Sequence, residues 1–142
     1  MRTGWIAVYW AALFVALLLA ACGSGDSTGS KGDPNAGKQL FNGEIALTDR
    51  AALPCKECHS VEPGDKTSLW PNLSNIGNRA GTTVPGQTAT DYLLTAITNP
   101  DAYLADGFQD GIMYRGYGRA LTAKQMNDLV AYMLTLKSGR DE

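Results

Sequence analysis

The chain is short of the side chains that hold metals or form cross-links. One histidine and three cysteines are all that 142 residues provide. That scarcity leaves little for a metal site closed by protein ligands alone, and it rules out a disulfide framework. Sustained two-residue alternation of apolar and polar side chains is missing as well, which argues against a sheet. Excess charge of one sign is also absent. The 12 basic and 14 acidic residues give a net charge of −2, so nothing here suits nucleic acid. No internal repeat appears.

What is present is unevenly placed. Residues 5 to 21, WIAVYWAALFVALLLAA, carry no charge, and Arg2 is the only charge ahead of them. A cationic start, an apolar stretch and small residues at its end describe a secretory signal over residues 1–21. The stretch stops at Leu19-Ala20-Ala21-Cys22, which resembles the bacterial lipobox. The resemblance implies cleavage before Cys22, lipidation of its thiol, and a membrane anchor on the extracytoplasmic (periplasmic) side of the cell membrane. Each acyl CH₂ buried in lipid contributes about 0.8 kcal/mol to such an anchor. Two other readings share the export. One is an uncleaved helix, since about 17 apolar residues can just span a bilayer. The other is ordinary signal cleavage beside an incidental cysteine. Residues 22–32 hold GSGDSTGSKG after Cys22, with no apolar side chain to bury, and read as a flexible tether. The domain proper is expected over residues 33–142.

Within it, Asp33-Pro34 has the form of a helix start, an acidic N-cap followed by proline in the first turn. Ala36, Gly37, Leu40 and Phe41 supply one apolar face, and Gly43 is a stop. Residues 42–54 show no clear pattern. Pro63-Gly64, Pro71, Gly77, Gly81 and Pro85-Gly86 predict loops and turns over 60–88. A helix is expected from about Thr90 to Thr98, with Tyr92, Leu93, Ala96 and Ile97 on one side, ending at Asn99-Pro100. The last helix is the clearest. Thr122 and Gln125 form a capping box, Met126, Leu129, Val130, Met133 and Leu136 recur at helical spacing, and Ser138-Gly139 closes it. The expected fold is all-α, three or four short helices with long loops. So thin a core calls for a disulfide, a metal or a large apolar cofactor to pack against.

Residues 54 to 60, PCKECHS, hold two of the cysteines and the sole histidine. A thioredoxin-like dithiol belongs in a βαβ frame, which this pattern lacks. A structural zinc site wants four ligands, almost always Cys and His. Cys55, Cys58 and His59 give three, so an acidic residue would have to complete it. The C-x-x-C-H spacing has a third reading. Two thiols one turn apart add to the vinyl groups of a haem, and the adjacent imidazole reaches the iron. The export signal agrees with that chemistry. The expected cofactor is one covalently attached haem (heme c), with Cys55 and Cys58 as anchors and His59 as proximal ligand, its second ring nitrogen donating to a backbone carbonyl.

With these residues in hand, most of 33–138 resembles the class I, mono-haem cytochrome c family. Trp70-Pro71-Asn72-Leu73 is similar to the family's Gly-Pro-Asn-Leu, with Trp70 in place of glycine. The match implies that the Pro71 carbonyl accepts from His59. Gly77 and Arg79 fall where the family often has an arginine near a haem propionate. Met113, in GFQDGIMYRGYGRALT, occupies the place of the family's axial methionine, while Met126 and Met133 read as core of the last helix. The family usually has Met-Pro, and here Tyr114 follows, which frees the loop of one constraint and implies a weaker iron–sulfur bond. Gly37 and Phe41 resemble the family's Gly-x-x-x-aromatic on the first helix, and Leu129-Val130-Ala131-Tyr132 its partner face.

The resemblance implies one-electron transfer, with no small-molecule substrate and no nucleic acid. The implied partners are redox proteins or a quinol-oxidising complex of a respiratory or photosynthetic chain, served by a tethered shuttle or by a mono-haem subunit of an assembly such as alternative complex III. A five-coordinate haem enzyme or gas sensor is the competing reading if Met113 does not bind iron.

Overall fold

The computed structural model describes residues 31–66 and 70–138. The expected signal at 1–21, Cys22 and most of the tether lie outside them. Five α-helices and two single 3₁₀ turns make up the regular structure, and no strand occurs among the described residues.

Helix α1, Pro34–Phe41, begins as the local sequence dictates. The Asp33 carboxylate accepts from the Asn35 N–H at 2.9 Å, and Pro34 takes the first position, where no N–H is needed. It buries Gly37, Leu40 and Phe41. Helix α5, Ala123–Thr135, carries the complete capping box of Thr122 and Gln125 and buries Met126, Leu129, Val130, Tyr132 and Met133. It ends at Thr135, short of the expected Ser138, with Leu136 as its cap. The two helices cross closely because Gly37 has no side chain: a Cβ there would collide with the carbonyl of Asp128. Beside that crossing the buried Asp128 accepts from the Asp33 N–H at 2.8 Å and from Lys124 Nζ at 2.6 Å. Burial pushes the Asp128 carboxyl up, but the Lys124 and Asp33 hydrogen bonds outweigh it and hold the group below its ordinary value.

Helix α3, Ala89–Thr98, is capped by the Thr88 hydroxyl and buries Tyr92, Leu93 and Ile97. Two further helices depart from the expected loops. Helix α2, Ile76–Thr83, lies inside the stretch read as turns, and the four-residue helix α4, Tyr117–Ala120, precedes α5. Sequence periodicity misses α2 because it buries only Ile76 and Ala80 and contains two glycines. Tertiary contacts hold it instead: the Gly77 N–H donates to the Leu136 carbonyl at 2.8 Å, and Ser138 donates twice to the Ser74 carbonyl just ahead of α2. The described residues therefore hold five α-helices where three or four were expected.

These elements enclose one continuous apolar cluster, in which Ile76, Leu93, Ile97, Leu129 and Met133 also wall a cavity. Among the described residues no helix is long and apolar enough to cross a membrane.

Candidate prosthetic-group site

The cavity has a volume of about 280 Å³. One wall comes from the 3₁₀ turn Cys55–Glu57, where the Cys58 and His59 N–H groups both donate to the Cys55 carbonyl, at 3.1 and 2.9 Å. That tight turn sets Cys55, Cys58 and His59 on the lining of the same space. Met113 lines it too, from the loop before α4. Trp70, Pro71 and Arg79 complete the set of sequence-selected residues that meet there.

Nδ1 of His59 lies 2.9 Å from the Pro71 carbonyl oxygen. A carbonyl can only accept, so Nδ1 carries the proton and Nε2 keeps its lone pair for an electrophile. Burial pulls the imidazole below its ordinary value and outweighs the opposing Pro71 hydrogen bond, which favours a neutral ring, while that bond fixes which nitrogen keeps the proton. The Pro71 carbonyl is itself held in place. Asn72 donates to the Glu62 and Asp65 carbonyls at 2.9 and 3.0 Å and accepts from the Ser74 N–H, while the Leu73 N–H donates to the Ser60 carbonyl. Arg79, on α2, donates to the Asn72 carbonyl at 2.8 Å. Its guanidinium thus braces this segment while lining the cavity.

The Cys55 thiol does not suit redox exchange. Burial pushes Cys55 up to about 11, whereas a dithiol centre needs a lowered value, and no strand among the described residues offers a βαβ frame. Nor do three His, Cys, Asp or Glu side chains converge into a metal-binding group among the described residues.

An apolar macrocycle suits the space far better. Among the described residues, the large apolar side chains left exposed are Leu53, Tyr103, Leu104 and Ile112, and all belong to the lining of this cavity. Leu53 is 55% and Ile112 50% exposed. Such clustering marks a surface meant to be covered. With two thiols, an imidazole nitrogen and a thioether on the same lining, the residues present fit a haem. Met133 also reaches the lining from α5, whereas Met126 does not. Sequence reasoning missed Tyr117, whose hydroxyl donates to the Leu53 carbonyl at 2.7 Å and whose ring lines the cavity. It also missed Asp49, which accepts from the Tyr114 hydroxyl at 2.5 Å. That hydrogen bond pulls Asp49 down and pushes Tyr114 up, the pattern of a phenol donating to a carboxylate. No local pattern points to either residue.

The cytochrome c family model matches residues 34–137. A cytochrome c2 from Rhodoblastus acidophilus is 32% identical over 60 residues, 42% of this chain and 46% of that protein. The chain therefore spans about half the length of that relative. No solved structure matches the chain.

Proposed function

The chain belongs to the cytochrome c family, and on that premise we propose that it is a one-electron carrier with no chemistry of its own on a substrate. One haem c, attached through Cys55 and Cys58, supplies an iron that changes oxidation state by a single electron. His59 would hold the iron through Nε2, its ring fixed by Pro71. Met113 would supply the second protein ligand, and a thioether in that role favours the ferrous form and raises the potential. The apolar lining would keep water from the ring, and Arg79, also on the lining, is the residue we assign to a propionate. The observation that carries this reading is the meeting of Cys55, Cys58, His59 and Met113 on one cavity. The ferric absorption spectrum tests it. A weak far-red sulfur-to-iron band, with haem that stays bound after denaturation, is the expected result. High-spin features would replace the carrier with a five-coordinate haem enzyme or gas sensor.

The finer setting rests on the sequence. We place the carrier at the extracytoplasmic face of the cell membrane, held by lipid on Cys22 and a tether over residues 22–32. Cys22→Ala is expected to release it into the soluble fraction. A tethered carrier works as a two-dimensional shuttle or sits within a complex, and we favour the mono-haem subunit of a quinol-oxidising respiratory assembly such as alternative complex III. Pull-down from solubilised membranes separates the two, since a shuttle comes away without stoichiometric partners.

A further inference from the structure

Between the 3₁₀ turn Pro100–Ala102 and α4, the chain that carries Met113 has no helix of its own. Two of its glycines, Gly107 and Gly111, sit at positive φ. A loop of this length has considerable conformational freedom to lose, so a thioether on it needs fixing from outside.

The structure shows two fixings, and they differ in quality. On one side Asp101 accepts from the Gly111 N–H at 2.8 Å and from Arg115 Nε at 2.5 Å. The Arg115 side chain is 65% exposed, and a surface pair of that kind contributes little. On the other side Tyr114, next to Met113 in the chain, donates its hydroxyl to Asp49 Oδ2 at 2.5 Å in a part-buried contact. The second Asp49 oxygen accepts from the Ala51 N–H at 2.9 Å, which fixes the carboxylate. Residues 48–53 are in turn tied down at both ends. The Thr48 hydroxyl donates to the Ala120 carbonyl at 2.9 Å, and the Leu53 carbonyl accepts from Tyr117. The Tyr114 ring meets the Tyr117 ring edge-on at 5.5 Å and lies over Gly116, where any Cβ would overlap the phenol. Carboxylate, ring and glycine hold one side chain from three directions.

We propose that Asp49 and Tyr114 form a latch that keeps the Met113 thioether in the cavity, which makes both of them positioning residues for the axial ligand and gives residues 48–53 the role of a strap. The latch rests on the reading of Met113 as iron ligand. It supplies from a distant segment the constraint that the Met113-Tyr114 pairing lacks locally, so the bond is not weak for want of a proline.

Imidazole binding to the ferric holoprotein tests it, because an added ligand enters only when the thioether leaves. The rate is followed by the loss of the far-red band, well below the melting temperature. Tyr114→Phe and Asp49→Ala are each expected to raise the rate about tenfold, the loss of one charge-assisted hydrogen bond. The double variant should be no faster than the faster single, because both remove the same bond. Arg115→Gln removes the exposed pair with Asp101 on the other side of the loop and should leave the rate unchanged. Slow binding in the wild type and in both latch variants overturns the latch alone. An equal acceleration by Arg115→Gln also overturns it, since any loosening of the loop then releases the thioether. A wild type as fast as Met113→Ala overturns the ligand reading and the latch with it.

Discussion

The rings of Phe41 and Tyr132 meet edge to face, their centroids 5.5 Å apart and their planes at 62°. They come from the first and last helices of the domain, and both are buried. Together with Gly37 they make the crossing of α1 and α5 the joint against which the cavity wall of α5 is set. Leu129 and Met133 reach the lining from that helix.

Phe41→Ala should therefore cost about 3–5 kcal/mol of unfolding free energy, as large core truncations do. A double-mutant cycle with Tyr132→Leu should show coupling of about 0.5–1.5 kcal/mol from the ring pair itself. Urea titration of the four proteins checks both values.

Gly37→Ala adds a single methyl group and should still destabilise, by about 1–3 kcal/mol, because its neighbour is backbone and cannot swing aside. The same substitution at Gly64, which has nothing near its Cβ position, meets only the strain of its positive φ. Thermal melts of the two variants separate collision from strain.

Acid sensitivity should trace in part to Asp128. Its folded-state value lies below the ordinary 3.8, so its contribution is fully present above the unfolded value and is lost as pH falls through the folded one. Lys124 is its ion-pair partner, at 2.6 Å. Stability measured by urea midpoint should fall as pH drops below about 4, and Asp128→Asn should flatten that limb while lowering the neutral-pH plateau.

Two thioethers border the cavity, and their substitutions should part company. Met113→Ala is expected to abolish the far-red ferric band and lower the reduction potential, since axial ligand identity governs haem potential. Met133→Leu is expected to keep the band and to cost less than about 1.5 kcal/mol, as a volume-conserving core change. Ferric spectra and potentiometry of both variants decide which sulfur faces iron.

Much of this was legible in short stretches of sequence. The Asp33-Pro34 start and the Thr122/Gln125 capping box are local hydrogen-bonding arrangements, and both form as the residues dictate. The C-x-x-C-H spacing is likewise confined to one turn. Helix α2 was not legible, because its stability comes from Leu136 and Ser138 at the far end of the chain rather than from its own periodicity. Tyr117 and Asp49 were hidden for the same reason, as each meets a partner more than sixty residues away.

By itself the sequence determined the anchor motif, the starts of the first and last helices and the all-α class, since each is fixed by interactions among residues within a turn or two of one another. Only the tertiary structure decided that Met113 shares a cavity with His59, that Pro71 orients the imidazole, and that Asp49 reaches Tyr114. Those relationships depend on closing long loops around a common apolar space, and the cost of closing them is met by packing that no local pattern records.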